Sequence, residues 1–302
     1  MPRPDAAGRF ALLCFLTAIA ACSAPPGSAP PAAGAGAASP TMATLVVTGN
    51  DYAFQVADTV DPGPTVIALA NGGKVFHELV LMKLLPQTTI AGLLKADAAD
   101  ETFRPYLEGG NAVLFAAPGD TGTGRLAVNF EPGARYAFWC NFTDSTGTPK
   151  HSALGMVREI VVRNETATPR QDADPVRTLA VELGDYAFRV ADTVTAGWVD
   201  VRVTNVGRQR HELALSLLKP GVDGAAFYAQ ALKGANVDSL YDDDGAILTA
   251  YPEGGNLFAI RVELLPGRVY VLECTFKDSD TAPPHNKLGM FKALTVLPAP
   301  TT

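Results

Sequence analysis

The chain reads as an all-β protein: two tandem Greek-key β-sandwiches, each with a short helical excursion, after a signal peptide and a disordered linker. Three observations predict this. A decapeptide at Asp51–Val60 (DYAFQVADTV) returns at Asp185–Val194 (DYAFRVADTV), 134 residues on, with one difference. Short β-branched or aromatic runs bounded by Gly, Pro, Asn and Asp recur within each copy, the pattern of sandwich strands. The first 43 residues have a composition unlike either copy.

Taken in order, Arg3 and Arg9 precede the apolar stretch Phe10–Ala21, which ends in small residues before Cys22. This is the charged, apolar, small-residue order of a secretory signal over 1–21. Ile19-Ala20-Ala21-Cys22 resembles the lipobox of bacterial lipoproteins, in which Cys22 becomes the lipidated first residue. An ordinary signal peptide with a cysteine at its end is the other reading. Apart from Cys22, residues 22–43 are nearly all Pro, Ala, Gly and Ser without a charge, a spacer between a membrane and the folded domains. The expected protein is therefore exported and membrane-anchored through lipid, facing the periplasm or the cell exterior.

Hydrophobic residues make up 47% and charged ones 18%, which suits a folded core. The net charge is −7, and loss of Arg3, Arg9 and Asp5 with the signal makes it −8 (22 basic against 30 acidic). With no basic run, nucleic-acid binding is excluded as a function class. No apolar run reaches the ~18 residues of a spanning helix.

The repeat divides the rest into a first domain at 44–163, a polar linker at 164–176, a second domain at 177–298 and a tail at 299–302. Thr65–Ala70, Leu126–Phe130, Tyr136–Phe142 and Val157–Val162 are expected strands. Val199–Thr204, Leu257–Glu263, Val269–Phe276 and Phe291–Leu297 are their counterparts. Thr89–Ala96 and Ala225–Lys233 have a helical texture. Glu108-Gly109-Gly110-Asn111 reappears at Glu253–Asn256 with an offset of 145, read as a loop insertion and deletion that cancel.

All four histidines of the chain, and the two cysteines beyond the spacer, obey the repeat. Each copy holds His, Cys 63 residues later, His 11 further on, and Met 5 beyond: His77, Cys140, His151, Met156 and His211, Cys274, His285, Met290. Two imidazoles, a thiolate and a weak axial thioether suit copper in electron transfer, because soft sulfur stabilises Cu(I) while imidazole tolerates Cu(II). Zinc fits less well, since Met is not among its usual ligands. An interdomain Cys140–Cys274 disulfide is the alternative use of the thiols.

At these residues the sequence resembles the cupredoxin family. The matches are Asn71-x5-His77, Pro132-Gly133-x2-Tyr136-x3-Cys140 and His151-x3-Gly155-Met156. The second copy has Asn205-x5-His211, Pro266-Gly267-x2-Tyr270-x3-Cys274 and His285-x3-Gly289-Met290. The resemblance implies two cupredoxin-like blue-copper sandwiches with one copper each, those eight residues as ligands, and Asn71 and Asn205 supporting the ligand loops. One departure is that ten residues separate Cys from His (141–150 and 275–284) where familiar members have only a few. The inserts carry Asp144, and Asp278 with Asp280.

Trp139 is expected to face away from Cys140 into the core, and Glu78 and Glu212 to be surface residues. Pro283-Pro284 stiffens the approach to His285, whereas Lys150 places a flexible cation before His151, so the second site is expected to be the tighter. No Gly-x-Ser-x-Gly, Walker loop or His-Glu-x-x-His occurs, and no histidine is left for a further centre, so no enzyme is expected. The leading expectation is a membrane-anchored electron-transfer protein with two type 1 copper sites and redox partner proteins. A copper-buffering lipoprotein and a metal-free binding module use the same residues.

Overall fold

The computed structural model describes residues 42–165, 176–252 and 254–299. The signal, Cys22, the spacer up to residue 41 and most of the linker lie outside the described residues. The first half contains β1 (Ala43–Asn50), β2 (Ala53–Gln55), β3 (Thr59–Val60), β4 (Gly63–Asn71) and β5 (His77–Leu84). Helix α1 (Ile90–Ala98) comes next, then β6 (Leu107–Ala116), β7 (Leu126–Phe130), β8 (Arg135–Trp139) and β9 (Val157–Val162). The second half repeats them as β10 (Arg177–Gly184), β11 (Ala187–Arg189), β12 (Thr193–Thr195), β13 (Gly197–Asn205) and β14 (His211–Leu217). It ends with α2 (Gly224–Leu232), β15 (Ala246–Ala250), β16 (Ala259–Leu264), β17 (Val269–Glu273) and β18 (Phe291–Leu297).

The two sandwiches are not beads on a string. One sheet runs β11-β10-β13-β16-β7-β4-β1-β2 and the other β12-β18-β17-β14-β15-β6-β5-β8-β9-β3. Both cross from one copy to the other, through β16–β7 and β15–β6. Each copy thereby covers the other's exposed edge, which would otherwise offer unpaired backbone groups to other chains. One hydrophobic core runs through both halves, from Val47 to Val296.

Alternation along the strands fills this core. Leu79 and Leu81 of β5 are fully buried toward it, as are Leu213 and Leu272 of the second copy. The opposite face of β5 and β8 buries Val80, Met82 and Trp139 against Leu93 of α1, so Trp139 is core, as expected. Thr89 caps α1 by accepting from the Gly92 amide at 3.0 Å, and Asp223 caps α2 from Ala226 at 2.8 Å. These caps place both helices within about a turn of their expected positions.

The Glu-Gly-Gly-Asn pair does not mark equivalent positions. Gly109–Asn111 lie inside β6, whereas Gly254–Asn256 come after β15. The two segments meet at the seam, where Asn256 Nδ2 donates to the Asn111 carbonyl at 2.7 Å. A Cβ on Gly110 would stand 1.7 Å from the Thr249 carbonyl oxygen, so only glycine allows this approach. The true register is 134 throughout: His77 pairs with Ala116, and His211 with Ala250.

Candidate metal centre

His77 opens β5 and Cys140 directly follows β8, its neighbour in the sheet. The β8–β9 loop turns back so that the His151 amide donates to the Phe142 carbonyl at 2.8 Å, and Ser152 to that of Cys140 at 2.8 Å. The ten-residue insert therefore returns its histidine to the cysteine. His77 Nδ1 and His151 Nδ1 lie 3.3 Å apart, and Cys140 Sγ is 3.5 Å from His151 Nδ1. The second half repeats this, with 3.1 Å between His211 and His285 Nδ1 and 3.5 Å from Cys274 Sγ to His285 Nδ1. All six residues are fully buried, and both cysteines are free thiols, which removes the disulfide alternative.

Met156 and Met290 are also fully buried. The Met156 amide donates to the His151 carbonyl at 2.9 Å, and its carbonyl accepts from Cys140 at 3.1 Å. A Cβ on Gly49 would lie 3.1 Å from both Met156 Cε and His77 Cδ2, so the thioether methyl sits beside the first histidine. Asn71 Nδ2 donates to the Val75 and Ala116 carbonyls at 2.8 and 3.0 Å, and its Oδ1 accepts from Gly73. Asn205 repeats all three bonds with Gln209, Ala250 and Gly207. Each asparagine thus shapes the loop that delivers the first histidine.

Outer partners fix two of the four imidazoles. Asp144 Oδ1, in the first insert, is 3.0 Å from His151 Nε2, and Asp185 Oδ1 is 3.2 Å from His211 Nε2. A carboxylate at Nε2 assigns the proton there and leaves the Nδ1 lone pair facing inward. Burial, then the neighbouring His151, pushes His77 down to about 4, and burial also lowers His211. Burial, then Glu212, pushes Cys274 up to about 12. Burial alone would raise Asp144, but hydrogen bonds from Tyr52 and His151 outweigh it and hold its carboxyl below the usual range.

Two sequence expectations are corrected here. Glu78 and Glu212 are half-buried rather than surface residues. Their amides donate to Cys140 and Cys274 Sγ at 3.5 and 3.2 Å, and the Glu78 carboxylate accepts from the Asn141 amide at 2.8 Å. Alternation turned their side chains from the histidine face but toward the ligand loop. Lys150 is not a flexible cation: its Nζ lies 2.6 Å from Asp97 Oδ1 and 3.4 Å from Asp100 Oδ1. Its charge is met by two carboxylates at the end of α1, so the Lys150 half of the argument for a tighter second site falls and the Pro283-Pro284 half alone carries it. Asp51, Tyr52, Asp144 and their counterparts escaped the sequence reading as site residues. For Asp51 and Tyr52 the signal was the decapeptide itself, the most strongly repeated segment of the chain, whereas Asp144 and Asp278 stood in the inserts between Cys and His.

The donor set fits copper. Among the described residues the two groups able to hold a metal are these His-Cys-His triangles, each with its donor atoms within 4.8 Å of one another. A buried cation among them would take a lone pair from each imidazole and the charge of a thiolate, the set that copper prefers. Fold and donor set together agree with the cupredoxin resemblance of the sequence, each half presenting one donor set of the kind that suits a copper. No family model and no curated protein matches the chain.

Among solved structures it is similar to the dithionite-reduced auracyanin of Roseiflexus castenholzii, at 26% identity over 42% of this chain and 100% of that one, with a TM-score of 0.27. It is also similar to the blue copper oxidase of Nitrosomonas europaea, at 12% identity over 84% of this chain and 85% of that one (TM-score 0.23). The copper-containing nitrite reductase of Thermus scotoductus aligns at 14% identity over 84% and 61% (TM-score 0.23). The expectation that the chain is no enzyme is corrected by these last two: the structures aligned over most of its length are an oxidase and a reductase.

Proposed function

We propose that the protein is an exported electron-transfer protein, lipid-anchored at Cys22, that carries one type 1 copper in each half and hands electrons between redox partner proteins. His77, Cys140, His151 and Met156 would hold the first copper, and His211, Cys274, His285 and Met290 the second. The observation that carries this reading is the pair of buried His-Cys-His triangles built on one scaffold. Bound copper would supply the one-electron couple. The chain's own part is to hold the donors and exclude water: six fully buried donor residues, clamped by backbone bonds within each loop, leave little to rearrange when the charge changes. The amides of Glu78 and Glu212 bonded to sulfur stabilise the thiolate in the same way. Among the described residues no helix is long and apolar enough to cross a membrane. Residues 22–43 provide the tether that the anchor requires.

Copper loading followed by absorption spectroscopy tests the proposal. Two coppers per chain with an intense thiolate-to-copper band are expected. Colourless Cu(I) binding would favour copper buffering, and absence of binding would remove the copper assignment. Cys22→Ser is expected to release the protein from the membrane with its fold intact; an anchored Cys22→Ser protein would refute the lipid anchor.

A further inference from the structure

The repeated decapeptide begins as a two-residue hairpin, with Asn50 paired to Ala53 and Asp51-Tyr52 as the turn. Tyr52 has φ +71° and Tyr186, its counterpart, φ +63°. This left-handed region favours glycine, and a bulky aromatic residue there is strained. Both copies nevertheless place tyrosine at the turn. The ring explains why. Tyr52 packs edge-on against the His151 imidazole, with centroids 4.9 Å apart, and Tyr186 against His285 at 5.0 Å. The Tyr52 hydroxyl donates to Asp144 Oδ2 at 2.7 Å, while Oδ1 of the same carboxylate is the 3.0 Å partner of His151 Nε2. Asp51, the other turn residue, accepts from the Lys74 amide at 2.7 Å, in the loop that leads to His77. One strained turn thus ties together both segments that deliver histidines, and its ring covers the one that ends the long insert.

We infer that the Asp51-Tyr52 turn is a clasp for the first metal centre: Tyr52 and Asp144 are positioning residues that lock the His151 imidazole and retard loss of the metal. The inference deepens the copper reading above and rests on it for the nature of the metal. The second copy keeps the parts but holds them more slackly. Tyr186 Oη is 3.5 Å from Asp278 Oδ2, and Asp278 Oδ1 lies 3.2 Å from His285 Nε2, off the hydrogen-bonding direction. There the turn aspartate Asp185 instead bonds the other histidine, His211, at 3.2 Å. The clasp therefore acts on the loop histidine in the first half and chiefly on the strand histidine in the second.

The test uses the full chain in a Cys274→Ser background, so that the first centre alone holds copper, and follows copper loss to excess chelator by the thiolate-to-copper band. Tyr52→Phe and Asp144→Asn should each speed the loss about tenfold or more, the range for outer partners of ligating histidines. Because both act through one imidazole, the double variant should be no faster than the faster single one. In a Cys140→Ser background, Tyr186→Phe should change the second centre less. An unchanged rate in Tyr52→Phe, or multiplicative effects in the double variant, would overturn the clasp. Amide hydrogen exchange of residues 141–151 in the metal-free chain is the second measurement. Tyr52→Phe should accelerate it, and unchanged protection would overturn the clasp even if the parent bound no copper. Failure of the parent to bind copper would instead overturn the copper reading.

Discussion

Val113 of β6 faces Ile247 of β15 across the seam between the halves, and each is the other's counterpart in the repeat. Ala112 opposes Leu248 and Leu114 opposes Ala246 on either side, so the seam is self-complementary about this pair. The second seam behaves alike: Leu126 opposes its counterpart Ile260. This is the geometry of an isologous dimer interface within one chain.

The antiparallel seam sends the two centres to opposite ends. His77 pairs with Ala116, at the end of β6, and His211 with Ala250, at the end of β15. Six strand residues of offset along the seam correspond to about 20 Å. The centres should therefore load independently. Cys140→Ser and Cys274→Ser should each keep one copper and half the absorbance, measured by metal analysis and spectroscopy. Loss of all copper in either variant would refute separate centres.

Asp97 joins α1 to the first ligand loop. Besides the Lys150 ion pair, its Oδ2 accepts from Ser152 Oγ at 2.8 Å, so residues on both sides of His151 depend on it. In Asp97→Ala both partners lose a largely buried carboxylate. The metal-free chain should lose about 1–3 kcal/mol in chemical denaturation. Copper affinity should fall at the first centre and stay unchanged at the second, where Tyr228 of α2 braces the loop by bonding the Asn286 carbonyl at 2.6 Å.

Most of the fold was legible because strands and turns are written locally. β7, β9 and β18 match their expected bounds residue for residue, and the 134-residue offset brought all eight expected ligand positions into two equivalent sets. The seam was not legible, because strands of different copies pair through the shape of two edges rather than through pattern. The same holds for Lys150, whose partner Asp97 is 53 residues away. Asp144 was noticed in its loop, but its bond to His151 depends on how that loop folds back, which spacing does not encode.

Copper binding at the second centre should release protons. With Cys274 pushed up to about 12, the thiol is protonated at neutral pH, whereas His211, lowered by burial, is already neutral. Copper takes the thiolate, so about one proton should leave per copper, and affinity should rise about tenfold per pH unit. Titration of a Cys140→Ser chain in weakly buffered solution measures this. Binding without proton release would mean that the thiol is not a ligand.

The last prediction concerns Asp243, which lies away from both clusters and just before the β15 seam strand. Burial pushes its carboxyl up from 3.8 to about 6, against the hydrogen bond it accepts from the Leu217 amide at 2.9 Å; Asp244 and Asp242 add to the rise. The folded state therefore binds this proton more tightly than the unfolded chain. Its stabilising contribution is complete below about pH 4 and is lost as pH rises through about 6. Asp243→Asn keeps an acceptor for the Leu217 amide but cannot ionise. It should be more stable than the parent by about 1–3 kcal/mol at pH 7, with the gap closing near pH 4. Denaturant titrations of both proteins at the two pH values decide it. A difference that is constant with pH would show that Asp243 does not titrate in this window.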